Sequence, residues 1–316
     1  MLFQLGRDRQ KMKMQDINLT IIGDTCCSTT KTYLEYLKSA GFRPRNLWLI
    51  DFVLPDDRTR KMQRLFGPDF GQFFHRRQDN RTGSSHWSKE FQVTCNALIE
   101  VAAPIKVNLF EEFQYENYAE NISRFCAEDY DDLYLQRQIQ KTKGTAFLYT
   151  NGGIVPATIL NNMNNRFLHM HPGIVPAVRG SDCFLWSCHA RKQPGVSCFY
   201  MSPEIDEGDI IQTLEFYMPD LSTLRDLLDE GNGDLAYRAL LFALDPHLRG
   251  QILVKVLREN LRTDLRLLPA HSQPSVVRPA YLWMHPNIRD IVFKKMLERG
   301  PDLSSGKLLP VTTTER

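Results

Sequence analysis

The chain has 316 residues, 42% of them hydrophobic and 24% charged, which is room for one large or two modest domains with a proper core. A net charge of +2 gives no electrostatic case for binding nucleic acid or an anionic membrane surface. Seven cysteines without a regular framework, two of them adjacent as Cys26-Cys27, argue against a secreted disulfide scaffold and for a reducing cytoplasm. No stretch reaches the ~18 apolar residues of a membrane span.

Residues 1–16 mix Arg, Lys, Asp and Gln without an apolar centre, so they read as a mobile arm and not as a signal peptide. Asn18–Gly23 is a short β-branched run ending in glycine, the profile of a buried parallel strand. Thr30–Ala40 is helical and stops at Gly41, and Asn46–Val53 is a second strand. Strand, helix and strand in so short a span predict a βαβ unit and a doubly wound α/β opening. The turn Gly23–Lys31 is no P-loop, because Thr30 stands where the second glycine belongs. A helix N-terminus that favours anions is the simpler expectation.

Residues 55–86 are polar, and Phe73-Phe-His-Arg-Arg77 interleaves rings with cations. That pattern suits either a phosphorylated ligand or, more simply, a solvated loop beside a buried Phe pair. Trp87–Ala102 reads as a helix, Ile105–Phe110 as the third strand, and Tyr115–Phe125 and Leu133–Lys141 as two amphipathic helices. Thr145–Tyr149 is a fourth strand. It is followed by Asn151-Gly-Gly-Ile-Val-Pro156 and a short helix to Met163.

The chain turns on residues 167–180, Phe-Leu-His-Met-His-Pro-Gly-Ile-Val-Pro-Ala-Val-Arg-Gly. Apolar Phe167, Leu168 and Met170 make a strand whose period of two puts His169 and His171 on one face. Pro172, Gly173 and Pro176 then force a tight loop. Two imidazoles at a strand end opening into a loop suit proton chemistry, or are simply two structural histidines. Gly195–Met201 is a further strand, and Ile205–Asp209 a turn before another. The helix around Ser181–Ala190 should pack Phe184, Leu185 and Cys188 inward. Cys183, Cys188, His189 and Cys198 fit no compact Cys/His spacing, so no metal is assigned and buried thiols are expected.

These pieces together resemble the formyltransferase family. Its members have a strand ending Asn-x-His-Pro-Ser-Leu-Leu-Pro, then Arg-Gly, then a Thr-Gly-Val strand, then Asp-x-Gly-Asp-Ile. Here the corresponding residues are His169-Met-His171-Pro-Gly173, Arg179-Gly180, Pro194-Gly-Val and Asp206-Glu-Gly-Asp-Ile210. His169 stands where the family has its catalytic Asn, and Gly173 replaces the loop Ser. The resemblance implies a Rossmann-like α/β fold with a mostly parallel sheet. It implies formyl transfer from 10-formyltetrahydrofolate to a small-molecule amine, such as a nucleotide-linked amino sugar. His169, His171 and Asp206 would be catalytic. Gly152, Gly153, Ile154, Val155, Ile205 and Asp209 would hold the pterin, and Arg179 and Gly173 would face substrate. Two other functions remain open: hydrolysis of the formyl donor, and a non-catalytic relative that binds folate or a sugar nucleotide. The hydrolases carry a regulatory domain before the catalytic one, and here the first strand begins near Ile17.

The catalytic domain is expected over 17–218, and a smaller helical region over 219–300. Within it, Leu221–Leu228, Leu235–Leu244 and Leu248–Leu261 are helical, with a loop at Asp245-Pro246. A last helix begins near Asn287, and 301–316 reads as a loose tail. Nothing resembles the basic C-terminal β-barrel with which methionyl-tRNA formyltransferases hold tRNA. No nucleic acid and no membrane are therefore expected as partners, and a homodimer is allowed.

Overall fold

The computed structural model describes residues 14–52, 61, 64–65, 87–129, 131–150, 154–161, 164–274 and 280–311. The stretch 73–77 and the glycines at 152 and 153 lie outside them. Seven strands form one sheet in the order β3-β2-β1-β4-β5-β6-β7. Here β1 is Gln15–Gly23, β2 Phe42–Phe52, β3 Asn121–Ala127, β4 Ala146–Tyr149, β5 Arg166–His171, β6 Gly195–Tyr200 and β7 Ile210–Glu215. The first five in that order run parallel, and β6 and β7 are antiparallel additions. A mostly parallel sheet covered on both faces explains why β4 and β6 are buried along their whole length.

Alternate side chains feed two cores. Leu19 and Ile21 of β1 join the larger one, with α1 (Ser28–Ser39) and α2 (Lys89–Ala102). Ile22 faces the other side with Trp48, Phe147 and the Leu135 and Ile139 of α3 (Leu133–Lys141). Capping fixes where these helices begin. Ser88 accepts from the Phe91 N–H at 3.2 Å, and Asp132 accepts from Tyr134 and Leu135 at 2.8 and 3.1 Å. The short α4 (Ala157–Leu160) follows β4, and α5 (Cys183–Arg191) buries Phe184, Leu185 and Cys188 as its sequence predicts.

Four expectations outside the helical C-terminal region are corrected. Tyr115–Phe125 is not a helix: a single 3-10 turn at Tyr115–Asn117 leads into β3, which pairs with β2 from Asn46↔Asn121 onward. The stretch is rich in Tyr, Asn, Ser and Phe, weak helix formers, and the open edge of β2 offers its backbone a full ladder. Ile105–Phe110 is correspondingly not the third strand. It is irregular chain that buries Val107 and Leu109. The arm does not reach residue 16, because Gln15 and Asp16 already pair with Phe42 and Arg43. The tail is not loose over 301–311 either. Leu308 is fully buried and donates its N–H to the Ala102 carbonyl at 2.8 Å, and Val311 does the same to Glu215.

In the C-terminal region α6 (Arg225–Asp229) and α7 (Gly233–Ala239) lead to α8 (Asp245–Glu259), and α9 (Pro286–Arg299) follows later. No loop intervenes at Asp245-Pro246. A π-helical turn, Leu240–Leu244, carries α7 straight into α8, and Pro246 sits in the first turn of α8 where its missing N–H is tolerated. Leu248, Ile252 and Val256 of α8 share the larger core with the sheet, so this region packs on the α/β unit and does not stand apart. Among the described residues no helix is long and apolar enough to cross a membrane.

Candidate active site

The sheet order reverses between β1 and β4, and β5 lies next to β4 on that side. Doubly wound sheets bind ligands outside the carboxyl ends of their strands near such a reversal. The carboxyl end of β5 is His171, paired across to Ser197 of β6. His169 and His171 project from the same face, and the Phe199 ring lies against both, at 5.6 and 6.0 Å between centroids.

The loop after β5 folds over the His171 ring. Gly173 donates its N–H to the His171 carbonyl at 2.8 Å and accepts from Ser197 Oγ at 2.6 Å. Further along, the Val178 carbonyl comes within 3.2 Å of His171 Nε2. A Cβ on Gly173 would lie 2.5 Å from that same carbonyl and 3.0 Å from Nε2, so only glycine lets the loop close. Gly173 is buried, and it makes this closure possible.

Asp206 reaches the histidines although it follows β6. Its backbone is left-handed at φ 55°, a conformation Asp tolerates better than most residues. Gly208 packs so closely on β6 that a Cβ there would sit 1.6 Å from the Tyr200 carbonyl oxygen. Gln273 Nε2 spans the turn, donating to the Asp206 and Gly208 carbonyls at 2.8 Å each. Held in this way, the Asp206 carboxylate accepts the Gly180 N–H at 2.8 Å and lies 3.5 Å from His171 Nδ1.

Burial pushes the His169 imidazole down to about 3. The Asp206 carboxylate opposes that shift, while Arg249 and His171 add to it. His171 is pushed down for the same first reason, with Asp206 again opposing. Both rings are therefore neutral near pH 7.

Arg249 belongs to a part of the site that the sequence did not announce. It pairs with Asp245 at 2.6 Å on α8, and the Asp245 carboxyl is raised by burial despite that partner. Asp245 Oδ1 and Arg249 Nε are buried without hydrogen-bond partners. Two charges four residues apart on an otherwise apolar helix face were the available signal.

Arg179, expected to face substrate, instead pairs with Glu207 of the Asp206 turn. Of the pterin-binding expectations, Val155 is buried, whereas Ile154 and Ile205 are 71% and 52% exposed. These three line one groove with Leu160, Phe199 and Met201. Asp209 does not line it. Its carboxylate accepts from Ser272 Oγ at 3.1 Å and lies 3.9 Å from Arg166. Lys31, at the end of the glycine turn, points its Nζ at the Leu109 carbonyl, 2.7 Å away. Cys183, Cys188 and Cys198 are buried, and desolvation raises all three thiols, which leaves them inert.

Residues 118–231, from the approach to β3 through α6, match the family model described as formyl transferase. The match takes in a little over a third of the chain. It contains His169, His171, Asp206 and the loops that position them. A methionyl-tRNA formyltransferase of Syntrophus aciditrophicus is 31% identical over 93 residues, which is 28% of this chain and 30% of the relative's own length. Solved structures similar to the chain include a sugar N-formyltransferase from Shewanella sp FDAARGOS_354 (11% identity, 93% and 95% of the two chains, TM-score 0.39). Another is an N-formyltransferase from Helicobacter canadensis in complex with folinic acid and dTDP-3-aminofucose (12% identity, 84% and 70%, TM-score 0.39). The formyl transferase segment is joined on both sides by chain outside the match, including β1, β2 and the helix that carries Asp245 and Arg249.

Proposed function

We propose that the protein is a transferase that moves a formyl group from 10-formyltetrahydrofolate to the amine of a small molecule, with a nucleotide-linked amino sugar as the acceptor class. The observation that carries this reading is the meeting of His169, His171 and Asp206 inside the formyl transferase segment. In the reaction the acceptor nitrogen attacks the formyl carbon, the formyl oxygen gathers negative charge, and the nitrogen loses a proton. His169 offers its N–H to the oxyanion. His171 receives the proton, and the resulting imidazolium is stabilised by the Asp206 carboxylate 3.5 Å away. A placed base contributes about 10²–10⁴ in rate and an oxyanion donor about 10²–10³. The pterin is assigned to the small groove lined by Ile154, Val155, Phe199 and Ile205 together with Glu204 and Asp206, the carboxylate that faces His171.

Calorimetry with 5-formyltetrahydrofolate tests the donor. Release of tetrahydrofolate from 10-formyltetrahydrofolate, with and without nucleotide-linked amino sugars, tests the reaction. The reading expects saturable heat and amine-dependent release. Release that ignores every amine would make the protein a hydrolase, and absence of both would end the proposal.

A further inference from the structure

The same three side chains have a property that formyl transfer does not require. His171 Nε2 lies 3.2 Å from the Val178 carbonyl, and a carbonyl cannot donate. In the neutral ring the proton therefore sits on Nε2, and Nδ1 is a bare lone pair. That lone pair faces an Asp206 carboxylate oxygen at 3.5 Å. Two acceptors set against each other repel unless something positive lies between them. His169 Nδ1 is also buried and has no hydrogen-bond partner. One ligating atom from each residue falls within 4.8 Å of the other two, and among the described residues this is the one group of His, Cys, Asp and Glu side chains that converges so.

We propose that His169, His171 and Asp206 form a binding site for a divalent transition-metal ion. Two imidazoles and one carboxylate suit Zn²⁺, Fe²⁺, Co²⁺ or Ni²⁺, and disfavour Mg²⁺ and Ca²⁺, which take oxygen. The surroundings match what ligating side chains receive elsewhere. The His171 N–H is held by a backbone carbonyl, which fixes the tautomer, and the Asp206 carboxylate is held by the Gly180 N–H. Ligands on one tetrahedral ion at about 2.0–2.1 Å stand roughly 3.3 Å apart. The cluster must therefore contract by up to about 1.5 Å. Three protein ligands leave open positions, the arrangement in which an ion polarises a bound carbonyl or activates water. The claim concerns the ion's binding: an ion on Nδ1 occupies the lone pair that His171 otherwise offers as a base, so ion binding and the base role are alternatives at that atom.

The test uses the tag-free full chain, stripped with chelator and titrated calorimetrically with ZnCl₂ and CoCl₂. Visible absorption reports the coordination of Co²⁺. One ion per chain is expected, with a Co²⁺ spectrum of low coordination number and no comparable heat from MgCl₂. His169→Asn and Asp206→Asn should each weaken binding about 100-fold or more, while His271→Ala, an exposed side chain outside the cluster, leaves it intact. Circular dichroism melting shows whether each variant is folded. Failure of the wild type to bind, or equal binding by wild type and a folded His169→Asn, overturns the proposal. Binding of 5-formyltetrahydrofolate by the same stripped protein is read separately, so loss of the metal site and loss of the folate reading are distinct outcomes.

Discussion

Among the described residues two places bury an imidazole, and they differ in what surrounds the ring. His247 on α8 is fully enclosed, takes a 3.1 Å hydrogen bond with Tyr36 at Nδ1, and has a partnerless Nε2. Desolvation lowers it to about 3, with only a small further push from Lys307. His169 is lowered equally far, yet it stands beside His171, the Asp206 carboxylate and the Arg249 cation, under loops that two glycines hold shut. A depressed histidine is thus no mark of a site. The mark is a carboxylate set against the depressed ring, together with backbone that only special residues can form.

The contrast breaks or sharpens first on rates. His171→Ala should lower formyl transfer by about 10²–10⁴ in kcat. His247→Asn should leave kcat unchanged and lower stability by about 1–3 kcal/mol in urea unfolding. If His247→Asn silences a folded protein, the two histidines do not differ as argued.

His169 comes next. Steady-state kinetics of His169→Ala should show a loss of about 10²–10³, whereas His169→Asn keeps most of the rate because an amide N–H can serve the same oxyanion. Full activity in the alanine variant would make His169 a strand residue that merely faces the groove.

A smaller effect belongs to the loop. Gly173→Ala should cost about 1–3 kcal/mol in thermal or urea unfolding, since its Cβ meets the Val178 carbonyl at 2.5 Å. The equivalent change at Gly231, where nothing lies within 4 Å, carries only the cost of its φ of 79°.

Smallest is the pH response of His247. Its folded pKa, about 3, lies below the ordinary 6.5, so between those values the unfolded chain binds the extra proton. Stability should fall as pH drops through that window, by at most about 1.4 kcal/mol per unit, and be unaffected by this group above it. His247→Phe should flatten the chemical-denaturation profile there. An unchanged slope would mean that His247 is not buried neutral.

The sequence made the β1–α1–β2 opening and the β5 motif legible because apolar runs, glycines and prolines there act locally. It misled at Tyr115–Phe125 because the choice between helix and strand was made by the open edge of β2, which is remote information. It misplaced a loop at Asp245-Pro246 because Pro246 falls in the first turn of α8, where its missing N–H is tolerated and a π turn joins the two helices. The triad was visible as a motif, but the left-handed Asp206 and the tight Gly208 that bring it to His171 were not. Nor was the Asp245–Arg249 pair, since its meaning depends on α8 packing against the sheet.

A crystal structure with 5-formyltetrahydrofolate tests the central claim most directly. The account predicts the pterin against Val155, Phe199 and Ile205, with the formyl carbon within about 3.5 Å of the place an attacking amine would occupy beside His171. A folate bound at any other place on the molecule, with His169, His171 and Asp206 left untouched, would contradict it.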